Sequence, residues 1–461
     1  MKGTVDATYQ TSRVEGDNPL IAALPPQMSR KELYMALARE FALPEDYQAY
    51  SPQERQELSA KIKQIYIPME YAADIYSALC YGLRTAYTGR TKVGITKRMN
   101  DIGKSVNGKH YMIVSDSPFI AESFAILGEP GSGKSTTIRH ILNLFPTVIR
   151  HTEFQGSPFQ ALQIPCISIE CPVNHSEKSV CYQILEKIDE VLGTSYMDEA
   201  MRVNFSVDML IIKIAQLCMR FSIGAILIDE IQNILKTKTK NPTSGNSLIR
   251  FLVSLANKTG VCLVCIGTTA VSRFFNAEAH LARRTRGPRI PLLSNGATYR
   301  TLLEKMWENI AVINPLPLSK GIADEVYLHT GGCIGKMASL LHYAAVDAIF
   351  FGRERIDRED IRAVAKKYDI SARRPSLEPA NISLFERDSR TGQDAIREEM
   401  PLELETSPFV PPQKKSPRGR PKVKRDELDI LVVYDSCQEY ALSLAQKLEE
   451  MGLVYGKKEE L

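Results

Sequence analysis

Short apolar runs rich in β-branched residues alternate with amphipathic stretches between about Ser115 and Ser294. The runs FAILG (124–128), CISIE (166–170), AILID (225–229), LVCIG (263–267) and RIPLL (289–293) read as strands. Between them, Lys134–Leu144, Ser179–Leu192, Val207–Phe221 and Ser247–Lys258 carry helical spacing. Strands this short and apolar, separated by helices, predict a parallel sheet covered on both faces, an α/β core. After Thr298 the β pattern stops, and Arg300–Val312, Gly321–Thr330, Gly335–Phe351 and Asp357–Lys367 predict a helical lid.

Ahead of the core, residues 1–30 are polar with Asn18-Pro19 and Pro25-Pro26, and read as an extended arm. Helical spacing follows over Arg30–Glu40 and Ser51–Ala86, with Leu58, Ile62 and Ile65 on one face. Residues 371–426 are rich in Pro, Ser and charge, the composition of a disordered linker. DILVVYD and Glu439–Met451 then predict one strand and one helix, too little to bury a core alone, so this piece is expected to dock on a partner or on the body. The expected organisation is an arm and helical adaptor at 1–110, an α/β core at 111–297, a lid at 298–370, a basic linker at 371–426 and a docking segment at 427–461.

Composition narrows the class without changing this picture. With 461 residues, 44% hydrophobic and 24% charged, the chain is expected to be a globular protein of several domains. No apolar run reaches the roughly 18–20 residues of a membrane helix, and the N-terminus lacks a signal peptide's apolar stretch, so a cytoplasmic location without membrane contact is expected. Nine scattered cysteines fit no disulfide framework. Cys262 and Cys265 form a CxxC inside an apparent buried strand, and Cys166, Cys171, His175 and Cys181 fit no usual zinc spacing, so no metal-thiolate site is expected. The net charge of +4 is unevenly placed, with basic clusters over Arg84–Lys109 and Lys414–Arg425, the electrostatic footprint of a nucleic-acid binder or a solvated surface.

The chemistry begins at Gly128-Glu129-Pro130-Gly131-Ser132-Gly133-Lys134-Ser135-Thr136, a phosphate-loop pattern between a strand and a helix. Its glycines let backbone N–H groups cradle phosphate oxygens, Lys134 neutralises them, and the Ser135 hydroxyl is suited to Mg²⁺. Asp229 and Glu230 end the strand AILID, where such sheets bind ligands. Asp229 is expected in the Mg²⁺ shell and Glu230 as the group that polarises an attacking water. Thr268, at the next strand end, places a hydroxyl between them and the γ-phosphate of ATP. Arg283 and Arg284, in HLARRTR, are the candidates for an arginine that reaches a neighbouring subunit's nucleotide.

Together these features resemble the AAA+ ATPases. Within that class, DNPLIAALPP (17–26), LIDEIQNIL (227–235), IGTTAV (266–271) and FNAEAHLARRTRG (275–287) resemble TnsC, the ATPase regulators of Tn-seven-like transposons, over about residues 10–370. The resemblance implies an ATP- and Mg²⁺-dependent matchmaker that oligomerises on double-stranded DNA. It implies further partners: a target selector of the TniQ or TnsD type and, through the C-terminal tail, transposase subunits of the TnsA or TnsB type. It also implies that Lys336, at the start of a lid helix, faces the nucleotide, although GGCIGK (331–336) is more glycine-rich than expected for that family. Lys178 and the run Lys236, Lys238 and Lys240 are the expected DNA-phosphate contacts. Arg418-Gly419-Arg420-Pro421 matches the core of a minor-groove hook. Two other classes share the core: a switch-type signalling or defence ATPase, and a replication initiator or helicase loader.

Overall fold

The computed structural model describes residues 3–10, 18–88, 90, 121–173, 176–236, 244–272 and 286–372. In chain order its strands are β1 (Thr4–Asp6), β2 (Phe124–Gly128), β3 (Val148–Phe154), β4 (Ser157–Gln163), β5 (Cys166–Glu170), β6 (Ala225–Asp229), β7 (Cys262–Gly267) and β8 (Arg289–Ile290). Five of them form a parallel sheet in the order β5-β6-β7-β2-β8.

Side-chain alternation sends each strand's residues to two separate cores. Phe124, Ile126, Ala225, Leu227, Val264 and Ile266 face one apolar cluster. Ala125, Leu127, Ile226, Ile228, Leu263 and Cys265 face the other. The second cluster is closed by the helices Glu177–Leu192, Val207–Arg220 and Ser244–Thr259. The first is shared by three parts of the chain that the sequence pattern separates. It holds Ile75, Leu79 and Leu83 of the adaptor helix Glu70–Thr88, Ile138 and Ile141 of the helix Lys134–Leu142, and Leu302, Leu341 and Ile361 of the lid. These residues lie within one unit, Met1–Leu377.

A charged contact reinforces the junction of adaptor and lid. Arg55, on the helix Pro52–Ala60, donates both of its terminal nitrogens to Glu354 at 2.5 and 2.7 Å. Its side chain is 3% exposed, and it also donates to the Ala311 carbonyl. The lid helices Ala297–Trp307, Lys320–Thr330, Ile334–Phe350 and Arg358–Lys367 match the expected positions within a few residues.

Three features depart from the sequence reading. β3 and β4 form an antiparallel hairpin, joined at Gln155 (φ +51°) and Gly156 (φ +71°), the left-handed pair that a tight two-residue turn requires. The N-terminal segment is folded: β1 pairs in parallel with β3, and Pro19–Ala22 is a short helix whose Leu20 and Ile21 are buried. RIPLL contributes only Arg289–Ile290 to the sheet. Pro291 has no N–H to continue the ladder, which accounts for the early stop.

The motif Asp17-Asn18-Pro19 acquires a structural role from Asn18 onward. Asn18 is buried; its side-chain oxygen accepts from the Leu20 and Ile21 amides, and its amide donates to the Tyr87 carbonyl at 2.8 Å. It caps the short helix and fastens it to the end of the adaptor helix. Residues 373–461, including the basic linker, Arg418–Pro421 and the docking segment, lie outside the described residues.

Candidate nucleotide-binding site

β2 runs between β7 and β8, so the loop that leaves it emerges at the sheet's crossover, beside the ends of β6 and β7. Gly131 (φ +78°) and Gly133 (φ +94°) turn this loop into the helix Lys134–Leu142. Lys134 folds back, its ammonium donating to the Gly128 and Glu129 carbonyls at 2.9 Å each. Burial lowers its pKa, while the nearby carboxylates, Glu230 first, oppose that shift. The Ser132 hydroxyl is buried with no hydrogen-bond partner among the described residues. An anchored lysine, an orphaned hydroxyl and a helix N-terminus together suit a multiply charged anion.

Ser135 and Asp229 meet directly, the hydroxyl donating to the carboxylate at 2.6 Å. This pair of oxygens matches the hard-donor preference of Mg²⁺. Glu230 follows with φ +54°, a left-handed conformation that costs a residue with a Cβ on the order of 1 kcal/mol. Its amide is held by the preceding carboxylate, donating to Asp229 Oδ1 at 2.7 Å. The turn separates the two acidic side chains, so that Asp229 contacts Ser135 while Glu230 lines the adjoining cleft. Thr268 also lines that cleft, and Thr269 donates to Glu129 at 2.7 Å across the loop.

The cleft has a volume of about 650 Å³. From the phosphate loop it is lined by Gly131, Gly133, Lys134, Ser135 and Thr136. The lining also has an apolar set that was not read from the sequence: Ile65, Tyr66, Ile67 and Tyr71 from the adaptor, and Leu302 and Met306 from the lid. Tyr66 donates to Thr137 at 3.0 Å, tying this wall to the phosphate-loop helix. Burial raises the pKa of both Tyr66 and Tyr71, so each ring stays neutral. An aromatic, apolar lining in the same cleft as a phosphate cradle suits a nucleobase.

The lid touches the loop through the Gly335 backbone and the Cys333 thiol. The Gly335 amide donates to the Gly131 carbonyl at 2.9 Å, and the Cys333 thiol packs on the Pro130 carbonyl at 3.5 Å. A Cβ on Gly335 would lie 3.2 Å from that Gly131 oxygen, so the glycine permits the approach.

The remaining expected residues are placed as follows. The Lys336 ammonium donates to the Ser371 carbonyl at 2.5 Å and does not line the cleft. Lys178 donates to Asn204 at 2.7 Å, with its ammonium over the Tyr182 ring. Lys236 ends a short 3₁₀ segment, Ile231–Lys236, whereas Lys238, Lys240, Arg283 and Arg284 lie outside the described residues. Cys262 and Cys265 are buried in β7, and no metal-ligand cluster occurs among the described residues. No helix among the described residues is long and apolar enough to cross a membrane.

Comparison with curated proteins gives no match. Among solved structures, a Walker-type ATPase of Pyrococcus abyssi aligns at 13% identity over 59% of this chain and 71% of its own, with a TM-score of 0.36. The Drosophila ORC bound to DNA aligns at 13% identity over 77% and 73%, with a TM-score of 0.37. The Aeropyrum pernix ORC2 protein aligns at 11% identity over 60% and 68%, with a TM-score of 0.35. Residues 121–275 match the AAA domain family, which spans the phosphate loop, the acidic pair and Thr268. Residues 121–275 are thus similar to the AAA domain family, and the fold is that of an AAA+ phosphate-loop core with a helical lid.

Proposed function

We propose that the protein binds and hydrolyses ATP with Mg²⁺, and that it uses this cycle to regulate DNA transposition on double-stranded DNA. The observation that carries the hydrolytic part is the convergence of Ser135, Asp229 and Glu230 beside the phosphate loop. Ser135 and Asp229 would hold Mg²⁺, which when bound supplies positive charge opposite the terminal phosphates. Lys134 and the loop amides bind the phosphate oxygens, and the recess at Tyr66 and Met306 receives the base. Glu230 accepts a proton from the attacking water, and Thr268 orients that water.

The regulatory part rests on the resemblance carried by DNPLIAALPP, LIDEIQNIL, IGTTAV and FNAEAHLARRTRG. On this reading the chain assembles with copies of itself, and Arg283 or Arg284 completes a neighbour's site. Lys178, Lys236, Lys238 and Lys240 track DNA phosphates, which carry no sequence information and suit varied targets. A target selector of the TniQ or TnsD type and transposase subunits of the TnsA or TnsB type are the proposed partners, the latter at residues 427–461.

The test combines turnover with imaging. Purified protein is expected to hydrolyse ATP only with Mg²⁺, and to form rings or filaments on duplex DNA with a slowly hydrolysed ATP analogue. Glu230→Gln is expected to retain ATP binding and assembly while losing hydrolysis by at least about 100-fold. Assembly triggered by a small ligand without DNA would favour a switch-type signalling ATPase instead. Loading of a replicative helicase, with no binding to transposase subunits, would favour an initiator.

A further inference from the structure

Gln232 occupies a position between two parts of the site that come from different strands. Its carboxamide nitrogen donates to the Glu230 carboxylate, and its oxygen accepts the Thr268 amide at 3.1 Å. The two partners fix the orientation of the carboxamide, because a carboxylate only accepts and a backbone N–H only donates. The geometry points to Gln232 as a positioning residue for hydrolysis, one that sets the Glu230 carboxylate against the end of β7; this rests on the reading of Glu230 as the proton acceptor.

Local packing supports a fixed bridge. Gln232 stands on the first turn of the 3₁₀ segment Ile231–Lys236, which begins directly after the strained Glu230. Ile231 beside it is fully buried, and Asn233 is held by donation to the Cys171 carbonyl at 2.9 Å. The final residue of β7 is a glycine, and a Cβ on Gly267 would lie 2.6 Å from the Gln232 side-chain oxygen and 2.6 Å from Ile231 Cγ2. The absence of that Cβ lets the carboxamide seat on the strand end. Gln232 itself lines the cleft together with Glu230 and Thr268.

One consequence follows for the reaction. Without the bridge, the Glu230 side chain regains its rotamers and a general base leaves its reach of the water, which lowers turnover without altering phosphate or base contacts.

The test measures steady-state ATP hydrolysis and ATP affinity of the full chain for Gln232→Ala, Gln232→Glu and Glu230→Gln. Gln232→Glu keeps the size and packing of the side chain but replaces the donor facing Glu230 with a second carboxyl group. Both Gln232 variants are expected to lose kcat by about 10- to 100-fold, with KM and ATP affinity within about twofold of wild type. Wild-type or faster turnover in either variant, or an equal loss of ATP affinity, overturns the role of Gln232. If Gln232→Ala fails to fold, Gln232→Glu decides alone. Loss of hydrolysis in Glu230→Gln with normal turnover in the Gln232 variants leaves the hydrolytic reading standing and removes only this inference, whereas normal hydrolysis in Glu230→Gln removes both.

Discussion

The Gly335 amide donates to the Gly131 carbonyl at 2.9 Å, a backbone-to-backbone link between the lid helix Ile334–Phe350 and the phosphate loop. A Cβ on Gly335 would stand 3.2 Å from the Gly131 oxygen and 3.3 Å from its Cα. Gly335→Ala is therefore expected to shift the lid or the loop by a few tenths of an ångström. Alanine is the better helix former by up to about 1 kcal/mol, so the variant's fold should hold or gain stability. Nucleotide titration is expected to give affinity weaker by several-fold, with a thermal midpoint no lower than wild type. Unchanged affinity would show that this contact does not shape the cleft.

Arg55 and Glu354 form a buried pair between adaptor and lid, with side-chain exposures of 3% and 15%. Removing one partner strands the other's charge in a poorly hydrated junction. Arg55→Ala is expected to lower stability by about 3 kcal/mol, read from denaturant midpoints. A double substitution to apolar residues of similar volume is expected to recover most of that loss.

Glu325, on the lid helix Lys320–Thr330, is 1% exposed and accepts from Arg362, Arg358 and His329. Hydrogen bonds from Arg362, and then from Arg358 and His329, hold its carboxyl down at about 2 against the opposing effect of burial. A depressed carboxyl pKa adds stability above its unfolded value, near 4.5, and loses it as the pH falls toward 2. Glu325→Gln is expected to be less stable than wild type at neutral pH. The gap should close between about pH 4.5 and 2, as measured by thermal unfolding at a series of pH values. A pH-independent gap would place the cost in packing.

The phosphate loop, β2, β5, β6 and β7 were legible because their signals are local: an apolar run, a fixed spacing, a helix behind it. The Ser135 and Asp229 pairing was legible too, since both belong to motifs of fixed chemistry although 94 positions apart. The apolar lining of the cleft was not. Tyr66 and Met306 carry no local mark of ligand contact, and only the fold brings adaptor and lid together. Gln232 adjoins the acidic pair, but its second partner is 36 positions away and reaches it only through the sheet order. The β3–β4 hairpin had its Gln155-Gly156 turn in view, yet its strands mix buried and exposed positions without the continuous apolar runs of the main sheet.

The left-handed backbone at Glu230 has a consequence for how the sequence can drift. Asparagine tolerates that conformation better than glutamate, so Glu230→Asn should be neutral or favourable to folding while removing the proposed proton acceptor. A population of variants selected only for surviving heat would thus be drawn toward losing turnover at this codon. On the proposed hydrolytic role of Glu230, turnover and thermal endurance would favour different residues at this left-handed position.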